Sequence, residues 1–182
     1  MKCPWVYGAK QNLVKYHDKI WCKETHDENE MFRRLCLLIF QCGLKWQMIL
    51  DKQEVLERIF YHFNPEKIVS IAMCDTYFTE YVTGSINNRK KIRAIIHNAE
   101  TLIKLHEQGI YLKDLVWDCS NHRVIDHHWQ HVEEIPNQTE LSKQLTKKLR
   151  MAGFHFIGPK NMYVYLQMVG VLNDHLIYCE SR

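Results

Sequence analysis

An all-α fold is predicted for this chain of 182 residues by three observations. Apolar residues recur at intervals of three and four far more than they alternate, the period of a helix buried along one side. Glycine and proline number only 7 and 4, too few for a fold of many short strands and tight turns. The balance of 46% hydrophobic and 25% charged residues is that of one globular unit over residues 1–182, or two helical lobes sharing a core, and it excludes a disordered chain. No apolar run approaches the roughly 20 residues that cross a bilayer. No charged-then-apolar leader opens the sequence, so no membrane partner is expected and the cytoplasm is the expected compartment.

The elements follow in order. "THDENEMFRRLCLLIFQCGLKW" opens with a Thr/Asp capping signal and acidic residues, then places Phe32, Leu35, Cys36 and Ile39 at helical spacing, which predicts a buried helix. A turn at Gly43 leads into "WQMILDKQEVLERIFYHF", where Ile49, Val55, Ile59 and Phe63 predict another helix, ended by Asn64-Pro65. Short helices are expected in "PEKIVSIA" and "CDTYFTEYV". The longest is expected in "NRKKIRAIIHNAETLIKLHEQG", with Ile92, Ile95, Ile96, Ala99, Leu102 and Ile103 on its apolar side and Gly109 just past its end. "SNHRVIDHHWQHVEEIPNQT" is polar, His-rich and poorly periodic, and reads as a long surface connection whose His127, His128 and His131 complete no metal set. Helix resumes in "TELSKQLTKKLRMAG", breaks between Gly153 and Gly158, and restarts with Pro159 in the favoured first helical position.

The formal charge of +3 is mild, so any contact with nucleic acid must come from local clusters such as "NNRKKIRAIIHNA" and "KQLTKKLRMAG". Each is equally the solvated side of an amphipathic helix. Seven cysteines are an odd number, and Cys36 and Cys42 lie in apolar helical sequence, which argues for reduced thiols. His175 and Cys179 stand four apart near the C-terminus, a spacing that puts two ligands of one tetrahedral metal on one side of a helical turn. Cys3 and His17 are candidates for the other half; the alternative is a buried thiol and a satisfied histidine. The stretch from Leu149 to Leu166 is two helices joined by a short turn with glycines at both edges. Such a turn can aim backbone N–H groups and a helix N-terminus at a phosphate, with Lys148, Arg150 and Lys160 adding charge, though any helical hairpin shares the pattern.

Several separate features then agree in order and spacing. "CPWV" at 3–6, "YHDKIW" at 16–21, "CGLKW" at 42–46, "NRKKIRAIIHNA" at 88–99, "AGFHFIGP" at 152–159 and "VLNDHLIYC" at 171–179 resemble the 3-methyladenine DNA glycosylase I family, of the helix-hairpin-helix base-excision repair superfamily, over essentially the whole chain. The resemblance implies that Cys3, His17, His175 and Cys179 hold one structural zinc per chain, tying the two ends together. It implies a helix-hairpin-helix at about 141–170 that holds damaged double-stranded DNA through Gly153, Gly158 and Lys160. It implies a base pocket at Tyr16, Trp21, Leu38, Gln41 and Trp46, in a monomeric bacterial protein of the cytoplasm.

The implied reaction is hydrolysis of the N-glycosidic bond of alkylated adenine, leaving an abasic site without strand cleavage. The sequence departs from the family where its glutamate accepts hydrogen bonds from the base: here the residue is Leu38, and no catalytic residue is assigned. Losing one charged hydrogen bond is worth roughly 1.5–3 kcal/mol, a factor of about ten to a hundred in affinity. Phe40 and Lys45 also replace small or polar residues. The alternative implied is a protein of the same fold that binds DNA or a modified nucleotide with lost or altered glycosylase activity.

Overall fold

The computed structural model describes residues 1–72 and 85–182. The helix expected in residues 74–82 lies outside them. The described residues form α1 (Gln11–Lys19), α2 (Glu28–Gln41), α3 (Trp46–Asp51), α4 (Gln53–Ile59), α5 (Pro65–Ala72), α6 (Arg89–Glu107), α7 (Leu112–Trp117), α8 (Glu140–Met151) and α9 (Pro159–Met168). One short parallel pair, β1 (Ile125–Asp126) beside β2 (Leu172–Asn173), completes the regular structure.

Local chemistry sets the ends of the long helices. Asp27 caps α2 by accepting from the Glu30 N–H at 2.7 Å, satisfying a donor that has no partner within the helix. Asn88 does the same for α6 through the Lys91 N–H. At the other end of α6 the chain passes into Gly109 at φ +72°, where the N–H groups of Gly109 and Ile110 return to His106 and Leu105 at 3.0 and 2.9 Å.

α2 is the central element, with Met31, Phe32 and the whole run from Leu35 to Phe40 buried. Against it pack α3, α6, α7 and α9. Buried polar groups lock these neighbours in place. The Glu28 carboxylate accepts from the N–H groups of Leu112 and Lys113 at 2.7 and 2.9 Å, capping α7 from another helix. The Tyr165 hydroxyl donates to the Met31 carbonyl at 2.9 Å, and the Arg34 guanidinium, paired with Glu30, reaches the Met168 carbonyl. Lys91 at the start of α6 donates to the carbonyls of Phe40 and Cys42 at 2.6 and 2.7 Å. These are carbonyls that the end of α2 leaves unpaired, so the ammonium closes that terminus at its negative pole. Burial pulls the Lys91 pKa down.

Three expectations are corrected. The single helix expected across 46–63 is two, bent at Lys52 and closed by a turn in which Tyr61, His62 and Phe63 all have positive φ. That turn carries Phe60 and Phe63 into the core as a stacked pair 5.6 Å apart, burial that outweighs continued helical periodicity. The His-rich segment is largely exposed, but it also pairs with β2 through β1, and it docks His127 and Trp129 on Asp174. The chain around His175 and Cys179 is a turn following β2 rather than helix.

Gly170 ends α9 at φ +79°, and a Cβ there would lie 2.3 Å from the Glu24 backbone nitrogen. The close approach allows the Cys22 and Thr25 N–H groups to bond the Gln167 and Val169 carbonyls at 2.9 and 3.1 Å. Gly170→Ala combines a strained conformation with a backbone clash and is expected to cost about 3 kcal/mol or more. A urea midpoint within error of the parent protein would contradict this.

Candidate functional site

Four potential metal ligands converge from both ends of the chain. Cys3 precedes a short 3-10 turn (Pro4–Val6), His17 lies on the last turn of α1, and His175 and Cys179 lie on the turn after β2. All four are buried, and their ligand atoms lie within 4.8 Å of one another. Cys179 Sγ is 3.6 Å from His17 Nε2 and 3.4 Å from His175 Nδ1, while Cys3 Sγ is 3.7 Å from His175 Nδ1. The cluster could hold one metal ion.

The surrounding groups orient the two rings. His17 turns its other nitrogen, Nδ1, to the Asp18 carboxylate at 2.7 Å, and His175 turns Nε2 to the Trp21 carbonyl at 3.3 Å. Both oxygens accept, which leaves the inward nitrogens free of hydrogen and suited to a metal. Burial and the neighbouring His17 pull the His175 pKa down to about 4, so its imidazole is neutral at physiological pH. Burial pushes the Cys3 thiol up to about 12 in the absence of a cation. Although burial raises the Asp18 carboxyl, hydrogen bonds from Lys2, His17 and Ser181 hold it below the usual carboxylate range. Asp18 thereby joins the N-terminal segment, α1 and the C-terminal segment.

The candidate base-pocket residues fall into separate places. Tyr16 and Trp46 come together where α1 packs on α3, ring centroids 5.0 Å apart and planes 55° apart. Burial raises the Tyr16 phenol well above its ordinary pKa, keeping it protonated. The Trp46 indole N–H is buried and has no hydrogen-bond partner among the described residues, a costly state for a donor in a native site. Trp21 packs on the imidazoles of the cluster, 4.6 Å from His175 and 5.8 Å from His17. Leu38 is 1% exposed in the last turns of α2. Gln41 spends its amide N–H on the Leu44 carbonyl at 2.8 Å, closing the loop before Trp46. Phe40 packs edge-on to Phe60 in the core, and Lys45 is exposed at the start of α3.

Gly153 and Gly158 lie in the turn that joins α8 to α9, and Lys160 follows in the first turn of α9. Gly153, at φ +101°, and Phe154 return their N–H groups to Arg150 and Leu149 at 3.0 and 2.9 Å, which reverses the chain after α8. Arg150 donates to the Ile157 carbonyl at 2.7 Å, and Gly158 leads into Pro159, leaving Lys160 exposed in the first turn of α9.

The model of the methyladenine glycosylase family matches residues 5–182. The chain belongs to that family. The DNA-3-methyladenine glycosylase of Haemophilus influenzae is 35% identical over 181 residues, covering 100% of this chain and 97% of that protein. A crystal structure of 3-methyladenine DNA glycosylase I aligns with a TM-score of 0.93 at 31% identity, over 99% of this chain and 98% of that one. A tyrosine-to-phenylalanine variant of 3-methyladenine DNA glycosylase I, solved in complex with 3-methyladenine, aligns with a TM-score of 0.89 at 28% identity, over 97% and 95%.

In this member of the family, sequence reasoning missed four residues of the site region. Trp5 is 37% exposed and stands edge-on to Trp21 and His17, each 5.0 Å away. Its position two residues after Cys3 was the available signal. Asp18 and Asp174 adjoin the candidate ligands His17 and His175, which was their available signal, whereas Lys91 acts on carbonyls about fifty positions away.

Proposed function

We propose that the protein is a DNA glycosylase that hydrolyses the N-glycosidic bond of alkylated adenine, 3-methyladenine in particular, and leaves an abasic site without cleaving the strand. The observation that carries this reading is the Tyr16–Trp46 pair, with its buried, unpartnered indole donor, in a chain matched to the family from end to end. A damaged nucleotide must leave the stack before a protein can act on it, and two aromatic faces offer an extruded cationic purine the contacts it loses. The positive charge on an N3-alkylated adenine already weakens the bond to the sugar. Binding, orientation and exclusion of bulk water are therefore the main tasks left to the protein, and no strong general acid is required. The helix-hairpin-helix of α8 and α9 is assigned to holding double-stranded DNA through Gly153, Gly158 and Lys160.

The metal is assigned as one structural zinc. With zinc–sulfur bonds of about 2.3 Å and zinc–nitrogen bonds of about 2.0 Å at tetrahedral angles, a sulfur–nitrogen edge is about 3.5 Å. The three edges here, 3.4, 3.6 and 3.7 Å, support that fit. Two thiolates and two neutral imidazoles fill a tetrahedral shell, so the ion supplies cross-linking of the chain ends and no open position for water. A monomer in the bacterial cytoplasm, formed as a single zinc-stapled domain of two helical lobes, is the setting this reading carries.

A second reading is favoured by Leu38, which brings an apolar side chain where the family resemblance implies a carboxylate. It gives a DNA or modified-nucleotide binding protein with lost or redirected glycosylase activity. The test is to incubate alkylated DNA with metal-loaded protein, parent and Leu38→Glu, and identify the freed bases by chromatography. Release of 3-methyladenine by the parent is the expected result, with roughly a tenfold or greater gain in the variant. Release by the folded variant alone would establish the second reading, and release by neither would reject the glycosylase assignment.

A further inference from the structure

Trp46 takes its place from the loop that joins α2 to α3, and two other helices hold that loop at one residue, Cys42. The chain leaves α2 at Cys42 and turns at Gly43, φ +79°. Gln41 closes the loop on the Leu44 carbonyl, and Trp46 opens α3. From α6, Lys91 donates to the Cys42 carbonyl at 2.7 Å. From the first turn of α9, Asn161 Nδ2 donates to Cys42 Sγ at 3.0 Å. The same thiol donates its own hydrogen to the Leu38 carbonyl at 3.4 Å, so the sulfur gives one bond and receives one. Burial raises the Cys42 pKa, which keeps that hydrogen in place.

α9 runs antiparallel to α2, and at its far end Tyr165 bonds Met31 while Arg34 bonds Met168. Among the described residues, the Asn161–Cys42 bond is the one hydrogen bond between the first turn of α9 and the loop after α2. That first turn also carries Lys160 and follows Gly158, both assigned above to holding DNA. Asn161 and Cys42 meet in a groove of about 660 Å³ that Arg150 and Gly158 also line. We propose that Asn161 is a positioning residue for base excision: acting through Cys42, it sets the loop that carries Trp46 against the hairpin assigned to DNA. The inference rests on the glycosylase reading above.

An extruded base stays tied to its own backbone, so the offset between the backbone grip and the pocket decides the orientation in which the base arrives. A misplacement of about 1 Å can cost up to about a hundredfold in rate. A second route joins the same two parts through α6. Asn98 bonds the His155 N–H and carbonyl at 2.7 and 3.1 Å, and Lys91 bonds the Cys42 carbonyl. That route keeps hairpin and loop folded when the Asn161 amide is removed, while the direct tie that sets their spacing is lost. The expected result is slower chemistry with little change in the grip on DNA.

The experiment is a double-mutant cycle with two readouts: single-turnover release of 3-methyladenine from alkylated duplex DNA, and fluorescence anisotropy with a duplex carrying an abasic-site analogue. Asn161→Ala and Cys42→Ala are each expected to slow release roughly three- to tenfold, the size of one hydrogen bond. Affinity for the duplex should stay within about twofold of the parent in both. The double variant should be no slower than either single one, because each removes the same bond. Cys42→Ser, whose hydroxyl gives and receives the same bonds, should keep a rate within about twofold of the parent. Circular dichroism confirms that each variant is folded. Parent-like release by Asn161→Ala, additive losses in the double variant, or weakened duplex binding with release unchanged would overturn the positioning role. Failure of the folded, metal-loaded parent to release 3-methyladenine would instead overturn the glycosylase reading, and this inference with it.

Discussion

Cys179→Ala is expected to empty the metal site and lower the melting temperature by about 10 °C or more, on a cost of at least about 4 kcal/mol. Cys179 Sγ approaches both imidazoles of the cluster, so its loss opens two of the three close sulfur–nitrogen contacts at once. Three ligands remain, all buried, and the two chain ends are left joined only by weaker ties. The Met1 ammonium pairs with Glu180 at the surface, and Asp18 links Lys2 to Ser181. The exposed Met1–Glu180 pair contributes little and the Asp18 links are only partly buried, whereas a structural metal contributes its binding energy to the fold itself. Metal per chain by mass spectrometry and calorimetric melting give the two readouts. Cys119→Ala, outside the cluster, should keep the metal. Full occupancy in Cys179→Ala would refute the ligand assignment.

The second large effect is expected at Asp174. Its side chain is fully buried and accepts from four donors: His127 Nδ1 at 2.7 Å, Trp129 Nε1 at 2.8 Å, Tyr163 Oη at 2.5 Å and Gln167 Nε2 at 2.7 Å. Burial alone would raise the carboxyl pKa, yet these hydrogen bonds hold it below the usual carboxylate range. Asp174→Ala leaves four donors without an acceptor, two of them on α9 and two on the segment after β1. The expected cost is about 3–5 kcal/mol. Amides of residues 125–129 should lose protection from hydrogen exchange before those of α2. Asp174→Asn keeps the shape but turns an N–H toward donors, and should fall between the two. Parent-like stability together with an ordered 125–129 segment in Asp174→Ala would remove the carboxylate from its role as anchor.

How far the site is legible in the sequence depends on the residue. Tyr16 and Trp46 are separated by thirty positions and no periodicity joins them; only the family resemblance placed them together, and the packing of α1 on α3 brings their rings into contact. The same resemblance named Trp21 as a further wall, and its ring packs against the imidazoles of His17 and His175. The four candidate ligands come together as the resemblance implies, although the backbone at two of them is a turn and not the expected helix. His175 and Cys179 meet through a turn, in which the spacing of four closes ligand positions as effectively as a helix does.

The features legible along the chain are those that neighbouring residues decide. The caps at Asp27 and Asn88, the end of α6 at Gly109, and the break and restart between Gly153 and Pro159 all depend on hydrogen bonds within a few positions of one another. Long-range packing set the bend at Lys52, the turn that buries Phe60 and Phe63, the seat of Gly170 on Glu24, and the partners of Lys91 and Asp174. Each of these is settled by burial or by a buried polar group finding its complement on another element. Such a choice leaves no periodic trace, because the unfolded chain satisfies the same groups with water, and a specific partner is required only once water is excluded.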